Sequence, residues 1–157
     1  MKLTRVNRTK EKSEQLQKLE FWKQNLEQML EMIQTVPPEN VRLDSFRSMD
    51  LWSGPPGSSR RYPDFRRVHC GSVACLGGWL PFWPYFKALG VTTSPDQDGR
   101  PFMKGVTGAI NLGDHLTGSY GMFFGADTRR VSHKQQAIRR IKKRLRVVKV
   151  EIKALKA

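Results

Sequence analysis

Cysteine, acidic residues and long apolar runs are all scarce in this chain, and each scarcity excludes a class of protein. The two cysteines form one close pair, Cys70 and Cys75, so the sequence is not that of a small disulfide scaffold. No apolar run approaches the roughly 20 residues that a membrane-spanning helix requires, so we expect no membrane partner. Because only 14 acids oppose 28 bases, the formal net charge is +14, which favours a polyanionic partner.

The positive charge is concentrated at the two ends of the chain. Residues 129–157 contain twelve bases and one acid, and residues 1–12 contain five bases and one acid. The residues between them hold 11 bases and 12 acids, which nearly cancel. The distribution predicts a basic arm over 1–12, a compact helical domain over 13–128 and a basic, amphipathic helical tail over 129–157.

The spacing of apolar residues predicts a mainly α-helical fold. Apolar side chains recur at three- and four-residue steps in the first part of the chain, which indicates a long amphipathic helix over about residues 10–35. Two consecutive prolines, at 37 and 38, end that helix. Shorter helices are predicted over 106–116 and 119–124, and the polar, turn-rich stretch within 91–104 indicates a short hairpin.

The tail is predicted to form a second long amphipathic helix. Ser132 is placed to cap its start, and six aliphatic residues then follow at regular three- and four-residue steps. These residues, called the tail seam here, are Ile138, Ile141, Leu145, Val148, Ile152 and Leu155. Because an apolar stripe of this kind has to be buried, we expect it to pack on the domain or on a partner. The β-branched run over 147–152 leaves a strand as the alternative.

Within the chain, the first helix is the best candidate to pack against the tail seam. Its apolar stripe has the same spacing, and it supplies four glutamates opposite the bases of the tail. These glutamates are Glu14, Glu20, Glu27 and Glu31.

Three segments of the central region occur in an order that resembles a known group of proteins. A Val-Pro-Pro turn at 36–38 is followed by Cys-Gly-Ser-Val-Ala-Cys-Leu-Gly-Gly-Trp at 70–79 and by Phe-Phe-Gly at 123–125. Over about residues 24–143 this order resembles a group of small, functionally uncharacterised bacteriophage and bacterial proteins. Their most specific segment is Cys-Gly-Ser/Thr-x-x-Cys-x-x-Gly-Trp. The resemblance implies a single fold unit of phage or prophage origin, and it implies no catalytic residue.

Cys75 is the main candidate for chemistry. Ser72 is placed to cap a helix that runs toward Trp79, and the start of a helix lowers the pKa of a thiol, so a nucleophile with His69 or His115 as its base is chemically reasonable. The neighbours of Cys75 are apolar, however, and free cysteine is commonly buried, so we favour a structural role. A zinc site with both cysteines and both histidines has poor spacing. We therefore expect no catalytic residue, no metal and no cofactor.

Five aromatic residues cluster just after the glycine-rich segment. They are Trp79, Phe82, Trp83, Tyr85 and Phe86. Beside nearby arginines they could stack on single-stranded nucleic acid, but a small helical domain has to bury its largest side chains, so we favour a core position.

The charge pattern favours a non-enzymatic accessory protein that binds nucleic acid, either DNA or RNA, or another polyanion through its basic arms, and the resemblance implies that it is of phage type. The predicted contact residues are Arg129, Arg130, Lys134, Arg139, Arg140, Lys142, Lys143, Arg144 and Arg146. The first alternative is a protein-interaction module that uses the tail helix, either as a phage inhibitor of a host protein or as a virion component. The second is an enzyme that depends on Cys75. The expected location is the host cytoplasm, with association with the virion as the alternative.

Overall fold

Two long helices at the ends of the chain form the frame of the fold. The computed structural model describes residues 2–41, 52–53, 62–63, 76–93, 101–123 and 131–157. Its helices are α1 (Lys2–Thr35), α2 (Leu76–Trp79), α3 (Pro84–Ala88), α4 (Gly108–Thr117) and α5 (His133–Lys156). Its strands are β1 (Trp52–Ser53), β2 (Tyr62–Pro63), β3 (Thr92–Thr93) and β4 (Pro101–Phe102). Short 3₁₀ helices cover Pro38–Asn40 and Leu80–Phe82. The predicted mainly helical class is confirmed.

Helix α1 begins earlier than the sequence predicted. The predicted start near residue 10 is wrong, because α1 already begins at Lys2 and includes most of the basic arm. This segment contains neither glycine nor proline, and its lysines, arginines and glutamates are good helix formers. The side chains of residues 6–15 are all exposed, so this end of α1 lies outside the core. The other end is as predicted, since α1 stops at Thr35 before the two prolines.

Helix α5 packs antiparallel on α1 and contributes to the core. Its N-terminal Lys134 reaches the carbonyl of Val36, whereas Lys156 at its other end reaches Glu20. Ile141, Leu145, Val148 and Ile152 of the tail seam are buried, and Ile138 and Leu155 are half-buried against the same core. Leu19, Leu26, Met29 and Ile33 of α1 lie in that core. The predicted cap is confirmed, because the Ser132 hydroxyl accepts a hydrogen bond from the Gln135 amide at 3.2 Å.

Two alternatives for the tail are wrong. The strand over 147–152 is excluded because these residues lie within α5. The tail seam is not an open surface for a partner protein, because it packs against α1 in the core of the same chain. Two of the glutamates take the predicted part in this packing: Glu20 pairs with Lys156 at 2.8 Å and Glu27 with Lys149 at 3.8 Å.

The middle of the chain meets the predictions in part. Strands β3 and β4 pair antiparallel, which confirms the short hairpin within 91–104, and the pairing of β1 with β2 was not predicted. The helix predicted over 119–124 is wrong, because residues 119–123 form a turn. Gly118 ends α4 in the left-handed conformation at a φ of 69°, as expected for a break there, but no second helix follows through residue 123.

The aromatic cluster belongs to the core. Trp79 and Phe86 are buried, and the other three rings are half-buried against the core cluster. Their polar atoms are bonded inside the protein. Trp79 Nε1 donates to the Asn40 carbonyl at 3.1 Å, Trp83 Nε1 to Gln28 at 3.0 Å, and the Tyr85 hydroxyl to Asn25 at 2.8 Å. The core interpretation is therefore the one that the structure supports.

Candidate nucleic-acid interface

The cations of α5 fall into several groups with different partners. The first group binds backbone carbonyls, and one of its members contacts the C-terminal end of α4. The last four carbonyls of a helix have no partner within it and need donors from elsewhere. Here each of the four has one. The Asp114 carbonyl accepts from the Gly118 amide at 2.7 Å, the His115 carbonyl from Trp22 Nε1 at 3.0 Å, the Leu116 carbonyl from Asn25 Nδ2 at 2.9 Å, and the Thr117 carbonyl from Arg144 Nε at 2.9 Å.

Arg144 is therefore part of the internal structure. Besides its bond to Thr117, its guanidinium carbon lies 5.3 Å from the centroid of the Trp22 ring, which is within the range of a cation–π contact. Its side chain is half-buried. A positive group at a helix C-terminus also interacts favourably with the helix dipole. Arg144 joins α5 to the end of α4 and to α1.

Lys134 and Arg140 have the same kind of role. Lys134 Nζ donates to the Gln34 carbonyl at 3.1 Å and to the Val36 carbonyl at 2.6 Å, so it caps the C-terminal end of α1. Arg140 Nη1 donates to the carbonyl of Met122 at 3.2 Å, in the turn that follows α4. Three of the nine predicted contact residues are thus already bonded within the chain, and we do not propose Lys134, Arg140 or Arg144 as phosphate ligands.

A second group of cations lies at the border between α5 and α1. Lys149 and Lys156 pair with carboxylates of α1, as described above, and Lys23 lies 3.9 Å from Glu20 on the same helix. The hydrogen bond from Lys156 lowers the pKa of the Glu20 carboxyl below its ordinary value, and the charges of Lys156 and Lys23 act in the same direction. Exposed pairs of this kind contribute little to stability, so they serve mainly to neutralise charge along this border.

A third group faces solvent. Arg139, Lys142, Lys143 and Arg146 are exposed, and their three- and four-residue spacing places them on one side of α5. Among the residues that the structure describes, none forms an ion pair or hydrogen bond with these four side chains. Their backbone positions span about 10 Å along the helix axis, at 1.5 Å per residue. We call these four residues the outer cations.

The exposed end of α1 adds positive charge beyond the end of α5. Arg8 and Lys12 continue the stripe that carries Leu19 and Leu26 farther along the helix. Lys12 lies seven residues before Leu19 and Arg8 eleven before it, and at about 100° per residue both spacings return a side chain to within about 20° of the same face. Where α5 covers this stripe its residues are apolar, and past the end of α5 they are basic and exposed. The composition of α1 therefore changes where its packing partner ends.

Most of the remaining candidates cannot be placed. Arg129, Arg130, His69, Cys70, Cys75 and the predicted cap Ser72 lie outside the described residues. His115 is exposed on α4, and its ring meets Phe21 edge to face with centroids 5.7 Å apart. In the described ranges, no group of three or more histidine, cysteine, aspartate or glutamate side chains is placed to hold a metal ion. In those ranges, no helix is long and apolar enough to cross a bilayer.

The sequence did not identify Trp22 and Asn25 as ligands of the α4 carbonyls. Trp22 matches the apolar spacing of α1, which predicts a core residue and nothing more. Asn25 is fully buried, and it binds both Leu116 and Tyr85. A neutral polar residue next to the apolar stripe of α1 was the available signal, because buried polar groups require partners. A comparison of the chain with protein-family models, curated proteins and solved structures gives no match.

Proposed function

We propose that this protein is a non-enzymatic, phage-type accessory protein that binds nucleic acid along the solvent face of α5. The outer cations are the proposed phosphate contacts, and Arg8 and Lys12 on α1 extend the positive field. The proposed place of action is the host cytoplasm, with association with the virion as the alternative.

The observation that carries this proposal is the uncompensated charge of the outer cations. Arg139 and Lys143 are four residues apart, as are Lys142 and Arg146, so like charges face each other along the helix. Each such pair destabilises a helix by about 0.2–0.5 kcal/mol. Elsewhere in the same helix, Lys134, Arg144, Lys149 and Lys156 lie beside carbonyls or carboxylates. A bound polyanion would remove the repulsion and release counterions from the nucleic acid.

The composition of this face favours contacts to phosphates over contacts to bases. Lysine and arginine side chains supply charge and donors, which position a protein on a nucleic-acid backbone without reading its sequence. The inner side of α5 is buried against α1, so only its outer side is open to a ligand. We therefore expect weak sequence preference and strong salt dependence with both DNA and RNA.

Substitutions that remove charge at exposed positions test this proposal better than truncation. Deleting residues 139–157 would also remove Ile141, Leu145, Val148 and Ile152 from the core, so any loss of binding would be confounded by unfolding. The test variant is Lys142→Gln with Lys143→Gln. The matched control is Lys87→Gln with Lys104→Gln, which removes the same charge from exposed positions in the central domain, away from α5.

The measurement is the affinity for a labelled oligonucleotide at fixed, low salt. The test variant lacks two proposed phosphate ligands, so we expect its affinity to decrease by about tenfold or more, whereas the control should stay within about twofold of the unmodified protein. Equal decreases in the two variants would mean that net charge alone governs binding. Unchanged affinity in the test variant would show that α5 is not the interface.

A further inference from the structure

Two exposed valines lie on the side of α5 that faces away from the core. Val147 and Val150 are exposed by 43% and 65%. With Lys143 and Ala154 they recur at four-, three- and four-residue steps, the same period as the tail seam. At about 100° per residue, Val150 points opposite to the buried Ile141. We call these four residues the outer seam.

The outer seam lies in a shallow groove. The groove has a volume of about 450 Å³ and is lined by Lys143, Arg146, Val147, Val150 and Glu151. Beside the two valines, the lining consists of long charged side chains, whose methylene groups can extend an apolar surface. Two exposed β-branched residues on a helix otherwise rich in lysine and arginine have no function in binding phosphate.

The charges around this groove restrict what can fill it. Arg139, Lys143, Arg146 and Lys153 are exposed along this side of α5, against the single carboxylate of Glu151. A second copy of the chain would place the same cations against them, which disfavours self-association. Nucleic acid offers no apolar side chain to cover the valines. A helix with an apolar stripe and acidic flanks satisfies both requirements.

We propose that the outer seam is a docking site for an acidic amphipathic helix of a partner protein. The apolar residues of the partner cover Val147 and Val150, and its carboxylates face Lys143 and Arg146. Glu151 gives the site a direction, because a carboxylate of the partner is favoured toward the Arg139 end and disfavoured beside Glu151. This inference goes beyond nucleic-acid binding, and the two ligands would compete for Lys143 and Arg146.

The probe for this site is a synthetic three-heptad peptide with leucine at positions a and d and glutamate at positions e and g. Its glutamates repel one another, which limits pairing between copies of the peptide. One control peptide replaces every leucine by alanine and keeps the charge. A second replaces every glutamate by lysine and keeps the leucines. Binding to the full-length protein is measured by titration calorimetry.

The protein variants separate apolar contact from charge. Val147→Ser with Val150→Ser should weaken binding of the leucine–glutamate peptide about tenfold, because the variant lacks the two exposed apolar side chains that the leucines of the peptide would cover. The same variant should bind an oligonucleotide as the unmodified protein does and should keep its melting temperature. Lys143→Glu with Arg146→Glu should reverse the preference, so that the lysine peptide binds more tightly than the glutamate peptide.

Three results would overturn the docking site. One is that the leucine–glutamate peptide does not bind the unmodified protein. Another is that the alanine–glutamate peptide binds with the same affinity as the leucine–glutamate peptide, which would mean that only charge contributes to binding at α5. The third is that the double serine variant binds the leucine–glutamate peptide with unchanged affinity. Because oligonucleotide binding is measured on the same variants, failure of this site is distinguishable from failure of the nucleic-acid interface.

Discussion

Neighbouring arginines in α5 have different roles because they point in different directions. Arg144 donates to the Thr117 carbonyl and lies over Trp22, whereas Arg146 is exposed. Two residues along a helix rotate a side chain by about 200°, so the two guanidiniums point to nearly opposite sides of α5. At the scale of the residue, position relative to the core therefore decides whether a base stabilises the fold or is open to a ligand.

The first prediction compares these two arginines. Arg144→Gln should lower the free energy of unfolding by about 1.5–3 kcal/mol, because it removes a charged donor from a carbonyl at the end of α4. Arg146→Gln should change it by less than about 0.5 kcal/mol, as expected for an exposed residue without a described partner. Urea denaturation of both variants measures the difference. Equal stability of the two variants would contradict the internal role of Arg144.

A second prediction concerns the exposed pair of Glu20 and Lys156. Because the folded pKa of Glu20 lies below its unfolded value, the pair stabilises the protein above the unfolded pKa, and this contribution is lost as the pH falls through the folded pKa. Lys156→Gln should move the pKa of Glu20 upward, toward its ordinary value. Carboxyl carbon chemical shifts measured by NMR across the acidic range report this change. An unchanged pKa would mean that the pair does not form in solution.

At the scale of the element, α5 joins the core on one side and carries a charged, partly apolar surface on the other. Val148 is fully buried, while Val147 beside it is 43% exposed. Because a helix turns about 100° per residue, consecutive valines lie in different environments. The apolar packing of α5 on α1 therefore depends on the tail seam and not on the valines of the outer seam.

A third prediction uses this difference between neighbouring residues. Val148→Asp places a carboxylate in the apolar core and should lower the free energy of unfolding by roughly 4 kcal/mol or more. Val147→Asp introduces the same charge at an exposed position and should cost less than about 1 kcal/mol. Thermal unfolding followed by circular dichroism measures both. Similar melting temperatures for the two variants would show that α5 does not pack on α1.

Much of this architecture was predictable from local patterns. The period of the tail seam, the Ser132 cap and the prolines after α1 are signals within one segment, and all three predict the observed structure. The start of α1 and the turn at 119–123 were missed. Charged residues continue a helix without marking its beginning, and a glycine that ends a helix does not show whether a second helix follows it.

The carbonyl partners of the inward-facing bases could not be predicted from the sequence. Lys134, Arg140 and Arg144 resemble the outer cations in type and spacing. Their partners are carbonyls at the ends of α1 and α4 and in the turn after α4, and these carbonyls come close to α5 only after the chain has folded. Burial of the tail seam fixes the rotation of α5, and that rotation determines which bases face the carbonyls and which face solvent.

At the scale of the whole molecule, the formal charge of +14 overstates the charge available to a ligand. Several bases of α5 are bonded to carbonyls or paired with carboxylates of α1. The outer cations and the exposed end of α1 remain open along one antiparallel pair of helices. Long-range attraction to polyanions arises from this concentration of open charge more than from the total.

The slope of log affinity against log salt reports how many phosphates the outer cations contact. It would be measured for an oligonucleotide with the unmodified protein and with a variant in which all four outer cations are replaced by glutamine. We predict that the slope decreases in magnitude by about 0.7–0.9 for each phosphate ligand that is replaced, or roughly 3 in total, while the melting temperature is retained. An unchanged slope in the folded variant would contradict the proposed interface, because the outer cations would then not interact with phosphate.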